Sequence, residues 1–139
     1  MPQMSIGGCG DGITIDDGSC IYVPDSFEFN QSTLQAFYFI VEAGLVDKSF
    51  IDERCEGYED FLAEIKQLDV VAMSELAGVE LPLIKEAAIA YASAHNAMSF
   101  HGLGVTEHSQ GSKTVMLIAN LAMITGNIGR LGVGVNPLR

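Results

Sequence analysis

The residue types that could do chemistry gather in the C-terminal part of the 139-residue chain. Gly102-Leu103-Gly104-Val105-Thr106-Glu107 follows Ala97 to His101, a short and largely apolar run suited to a buried strand, and precedes a long helix expected to begin between Ser109 and Ser112. A strand, a glycine turn and a helix N-terminus bring free backbone N–H groups and a positive dipole end to one spot, which suits a phosphate or another anion. Taken alone the pattern is weak, because many strand-to-helix turns contain glycine only for their geometry. Glu107 adds a second possibility: it is either a cap or dipole partner of the helix, or an acceptor for the adjacent donors of an amino-pyrimidine edge. Arg139, placed by Pro137, has the group that holds a carboxylate or phosphate with two parallel hydrogen bonds, although a solvated arginine is the plainer reading.

Other chemistries find less support. Cys9, Cys20 and Cys55 include no C-x-x-C pair and are odd in number, so reduced thiols are expected rather than disulfides or a zinc or iron–sulfur site. His95, His101 and His108 are not spaced as metal ligands on one helix face, and the acids around Asp16 and Asp17 lack the spacing and closing glutamate of an EF-hand. No metal ligand is therefore assigned. The net charge of −11 argues against nucleic acid as a partner. All 18 acids lie at or before Glu107 against four bases, giving −14 there and +3 from His108 onward, so an anionic ligand would be expected at the C-terminal end. An apolar buried helix with little room for acids explains the same asymmetry.

The elements that must position these residues are mostly helical. Asn30 or Ser32 can cap a helix with apolar Leu34, Phe37, Tyr38, Ile40 and Val41, ended by Gly44. A turn led by Asp47 leads to a helix with the stripe Tyr58, Phe61, Leu62 and Ile65, and a brief helix ends near Gly78. Pro82 fits the first turn of another, which runs to about His95. Val115 to Ile124 is about half the length a bilayer requires and contains Asn120, so it reads as a buried helix capped by Gly126, and no membrane span is expected. Residues 1–30 are poorly defined, with GITI and CIYV flanking the turn residues Asp16 to Ser19 as a short hairpin. The N-terminus lacks the basic and apolar regions of a secretory signal, which leaves a cytoplasmic origin as the expectation.

The run GLGVTEHSQGSKTVMLIANLAMITGNIGRLGVGVNPLR, Gly102 to Arg139, resembles a signature stretch of the catalytic alpha subunit of molybdenum- or tungsten-dependent formate dehydrogenases, in the dimethyl sulfoxide reductase family. EAGLVDKSFIDERCEGYEDF and VELPLIKEAAIAYASAH are similar to helical segments of that family in the same order, so the resemblance covers roughly residues 31–139. It implies an α/β, predominantly helical portion of a Rossmann-like domain with few strands, which contributes to holding a bis(molybdopterin guanine dinucleotide) cofactor. By that likeness Leu103, Gly104, Thr106 and Glu107 lie against the cofactor, and Arg139 orients formate or a similar small anion beside the metal. Several relatives carry glutamine in place of Glu107.

Departures from the family bear on what the chain does alone. It has no four-cysteine iron–sulfur motif and no cysteine-histidine pair to ligate the metal, so an iron–sulfur cluster is expected only in parts outside this sequence. The expectation is a fragment of an oxidoreductase, inactive by itself, whose partners are the remainder of the catalytic subunit or electron-transfer subunits, with self-association through an uncovered apolar face. The competing reading is a free-standing, non-catalytic binding module that reuses the fold. An unrelated nucleotide-binding domain would need a complete G-x-G-x-x-G or the lysine-serine pair of a P-loop, which the chain lacks.

Overall fold

The computed structural model describes residues 12–15, 20–22 and 27–138, with side chains from Asn30 to Leu138. Seven helices and four strands are present among the described residues. They are β1 (Gly12–Ile15), β2 (Cys20–Tyr22), α1 (Phe27–Glu42), α2 (Lys48–Arg54), α3 (Tyr58–Ile65), α4 (Val70–Ala77), α5 (Leu81–Ser93), β3 (Ala97–His101), α6 (Leu103–Thr106), α7 (Gly111–Ile124) and β4 (Gly134–Pro137). The predominantly helical expectation is met. The strands form one sheet in the order β2-β1-β3-β4, antiparallel except for the parallel pair β3 and β4.

Helix α1 is the hub of the packing. Its sequence contains neither glycine nor proline, and Phe37, Phe39 and Ile40 are buried, so it meets α4, α5 and α7 on different sides. Those residues share one apolar cluster with Ile51, Ile65, Ile84, Ala88, Tyr91, Ala97, Leu121 and Ile124. Phe37 also packs edge-to-face on Phe61, with ring centroids 5.0 Å apart. Burying a side chain of this size contributes about 1.5–3 kcal/mol. This cluster holds the C-terminal half of α7 and the first residue of β3.

Caps close the helices where residue chemistry demands. Asp47 and Asp69 accept from the N–H groups of Phe50 and Ala72 at the starts of α2 and α4, at 3.0 and 3.1 Å. Pro82 sits in the first turn of α5, and Gly44 and Gly78 have the left-handed backbone that ends α1 and α4. Gly126 does the same for α7, at φ 67°, and a β-carbon there would strike the Asp47 carboxylate.

Two local expectations change. Helix α1 begins at Phe27, so Asn30 and Ser32 lie inside it as buried polar residues and are not its caps. Asn30 finds a distant partner instead, accepting from the Thr114 hydroxyl at 2.7 Å. Residues 48–54, read as part of a turn, form a helix because Asp47 caps them and Ile51 enters the core. GITI and CIY do pair antiparallel, while the turn residues 16–19 between them lie outside the described residues.

Candidate functional site

The site is built from the ends of the parallel strands and the first turn of α7. Strand β3 ends at His101, and β4 runs beside it from Met98↔Gly134 to His101↔Pro137. The Leu138 N–H donates to the His101 carbonyl at 2.7 Å, so β4 stays tied to β3 up to the residue before Arg139. Arg139 itself lies outside the described residues. In α/β proteins the carboxyl ends of parallel strands are where ligands collect, because loops and helix N-termini meet there.

Between β3 and α7 the expected glycine turn contains an extra element. Gly102 precedes the single turn α6, whose interior holds Gly104 and whose Val105 is buried. Thr106 spends its hydroxyl on the Gly102 carbonyl, at 3.3 Å, and so stabilises this turn locally. Helix α7 then starts at Gly111, where the chain passes so close to the Val105 and Thr106 carbonyls that a β-carbon could not fit.

The sequence-predicted residues occupy this corner in different ways. Leu103 is an apolar side chain left 58% exposed, Gly104 is half-buried, and Thr106 and Glu107 are exposed. Glu107 closes α6 through its backbone N–H, which donates to the Leu103 carbonyl, and it is not the cap of α7. The residue in that position is Gln110, and no side chain caps the α7 N-terminus. The Gly111 N–H donates to the His108 carbonyl at 2.9 Å, which leaves the next two amides, Ser112 and Lys113, with the capacity to donate outward. Leu138, 50% exposed, brings a second uncovered apolar side chain to the end of β4.

His101, not singled out by spacing, is only 3% exposed, and its Nδ1 has no hydrogen-bond partner among the described residues. Its alternating position in β3, with Ala97 and Ser99 on the same buried face, is the signal that foretells its burial. Tyr91 meets that face, its hydroxyl 3.4 Å from Ser99 Oγ. Burial pushes the Tyr91 phenol above its ordinary range, opposed by the hydroxyls of Ser99 and Thr125.

At the other end of β3 lies a polar clamp that the motif reading also passed over. Asn127, 1% exposed, accepts at Oδ1 from the Ala97 N–H (3.0 Å) and from Arg130 Nη2 (3.1 Å), and its Nδ2 donates to Thr125 Oγ1 at 3.0 Å. Arg130 Nη1 also donates to Asn96 Oδ1. A buried asparagine just after an apolar helix is the sequence signal for such a group, because it must find partners.

Among the described residues no three His, Cys, Asp or Glu side chains gather as metal ligands, and no helix is long and apolar enough to cross a membrane. Cys55 is a free, half-buried thiol, whereas the side chains of Cys9 and Cys20 lie outside the described residues. An open cavity lies elsewhere among the described residues, between α2, α3 and α7, lined by Ile51, Cys55, Tyr58, Phe61, Asn120 and Met123. It shares no residue with the strand-end corner.

Comparison with known proteins addresses the chemistry directly. Residues 29–139 match the molybdopterin oxidoreductase family. The chain is 44% identical over 100 residues to the F420-dependent formate dehydrogenase 2 subunit alpha of Methanococcus maripaludis, covering 72% of this chain and 15% of that protein. An F420-dependent formate dehydrogenase subunit alpha of Methanocaldococcus jannaschii matches at 44% over 100 residues, with the same coverage of 72% and 15%. Formate dehydrogenase H of Escherichia coli matches at 38% over 102 residues, 73% of this chain and 14% of that protein. The chain thus spans about 15% of the length of the relatives it matches. With most of its described residues inside the match, this chain belongs to the molybdopterin oxidoreductase family.

Proposed function

We propose that the chain is a portion of the catalytic alpha subunit of a formate dehydrogenase, in which its strand-end corner helps bind a bis(molybdopterin guanine dinucleotide) cofactor and its terminal arginine binds the substrate. The observation that carries this reading is the 44% identity to formate dehydrogenase alpha subunits, over a stretch whose fold brings one parallel strand pair and an uncapped helix N-terminus to the same end. The β3–α7–β4 crossover is the Rossmann-like element of the proposal.

The chemistry of the corner fits one side of such a cofactor. The Glu107 carboxylate can accept from the amino-pyrimidine edge of a pterin or guanine, the α7 amides suit its phosphates, and exposed Leu103 offers a face for a flat ring. Gly104 keeps the backbone approachable, and Thr106 holds the turn's shape through its bond to Gly102. When bound, the cofactor supplies a molybdenum or tungsten centre that takes up two electrons as formate becomes carbon dioxide and a proton. Arg139 would grip the formate carboxylate through paired hydrogen bonds, which orients the C–H bond and offsets the substrate's charge. The metal ligand, any iron–sulfur cluster and the electron-transfer partners belong to other parts of the enzyme, inactivity of this portion alone follows, and a cytoplasmic place is part of the same reading.

The test is Arg139→Ala in a subunit of the relatives' length. Formate turnover is expected to fall by about 100-fold or more, the scale on which misplacing a reactant is felt, with bound metal and pterin nearly unchanged. Equal losses of cofactor and activity would make Arg139 a cofactor or structural residue and would contradict the proposal.

A further inference from the structure

The strand that leads to Arg139 is poorly suited to fix its own register. Strand β4 has only four residues, Gly134–Pro137, and lies at the sheet edge beside β3. Pro137 has no N–H to donate to the ladder, and Gly132 and Gly134, with φ of 81° and 141°, add backbone freedom just before and at its start. Glycine-rich edge strands have weakly specified registers, and a slip of one residue moves the chain about 3.3 Å and turns every side chain to the other face.

What compensates is the clamp at the far end of the crossover. The Asn127 amide joins three segments at once: the first residue of β3 through Ala97 N–H, the end of α7 through Thr125 Oγ1, and the crossover loop through Arg130. Thr125 Oγ1 donates in turn to the Leu121 carbonyl at 2.7 Å, and Asn127 N–H donates to the Ala122 carbonyl at 2.7 Å, so the amide is anchored to the helix itself. Arg130 adds a bond to Asn96, immediately before β3. The loop is therefore tied to residues 96 and 97 four positions before β4 pairs Gly134 with Met98, which bounds how far the strand can slip despite its glycines.

From this geometry we infer that Asn127 is a positioning residue for the substrate-binding arginine: it sets the register of β4 against β3 and so the place of the residue after Leu138. It acts through β4 and touches neither substrate nor cofactor. The inference rests on the proposed substrate role of Arg139, and its test separates the two.

In a subunit of the relatives' length carrying its cofactor, Asn127→Ala is expected to raise the formate KM or lower kcat by about tenfold or more, with metal and released pterin within about twofold of the parent. Hydrogen exchange at the Asn136 and Leu138 amides, the ones that parallel pairing turns toward β3, should accelerate. Asn127→Asp, which keeps the oxygen that accepts from Ala97 and Arg130, should restore both kinetics and protection to within about threefold. Unchanged kinetics and unchanged exchange at Asn136 and Leu138 in Asn127→Ala would overturn the inference. So would losses in both variants that simply track lost cofactor. If Arg139→Ala leaves the formate KM and kcat intact, the substrate role fails, while exchange in β4 still decides whether Asn127 holds the register.

Discussion

The two ends of α7 are built on opposite principles. At its C-terminal end Leu121 and Ile124 sit in the main core, Gly126 supplies the left-handed turn, and Asn127 and Arg130 bind the following loop to β3. Toward its N-terminal end Val115 and Ile118 belong to a smaller apolar cluster with Val105 and Val135, no side chain caps the first amides, and Leu103, Glu107 and Ser112 are exposed. One end has its hydrogen-bonding capacity consumed internally, whereas the other keeps donors and an acid in reserve. The difference separates the scaffold of this chain from the end where the proposed ligand would sit.

If that division is right, substitutions at the scaffold end should cost stability and those at the open end should cost almost none. The largest effect is expected in the core that grips the C-terminal half: Phe37→Ala should destabilise the chain by about 3–5 kcal/mol in denaturant unfolding. Gly126→Ala comes next, because a left-handed alanine costs about 1–2 kcal/mol and its β-carbon must also displace the Asp47 carboxylate from its place. Asp47→Ala should cost about 1 kcal/mol through the lost α2 cap, visible as faster exchange of the Phe50 amide. At the open end Glu107→Gln should change stability by less than about 0.5 kcal/mol, since the carboxylate is exposed and caps nothing in α7. A loss there as large as at Gly126 would erase the contrast.

Burial at Tyr91 sharpens the comparison by pH. Its folded-state pKa is raised, so the native phenol keeps its proton at alkaline pH where the unfolded chain loses it. Stability should therefore be level up to about pH 10, the unfolded value, and then fall as pH rises. Tyr91→Phe should reduce that alkaline loss in unfolding curves measured across the range, leaving the smaller part contributed by Tyr58, whose phenol is also raised by burial and by Glu59. A wild-type stability that rises above pH 10 would contradict the assigned burial.

Much of this was legible in the residues. Gly44, Gly78, Gly126 and Pro82 punctuate the helices where their backbone limits require, and Ala97 to His101 is the strand its apolar character suggests. What escaped was decided by partners distant in sequence. Asn30 resembles an N-cap until Thr114, 84 residues away, gives it a buried hydrogen bond. Among residues 134–137 only Val135 favours a strand, and β4 exists because β3 offers an edge. The one-turn α6 depends on Gly102 and the close approach of Gly111 to Thr106, which no spacing rule encodes. In the same way G-x-G-x-T pointed to the strand-end corner without revealing that Thr106 is bonded to its own turn.

The most direct test of the division is hydrogen exchange along α7 in a subunit of the relatives' length, compared with and without its molybdopterin cofactor. The account predicts that the amides of Ser112 and Lys113, at the uncapped end, slow markedly on loading, while those of Thr125 to Asn127 are already slow and do not change. Equal exchange at Ser112 and Lys113 in both states would contradict the placement of the cofactor at this end of the helix.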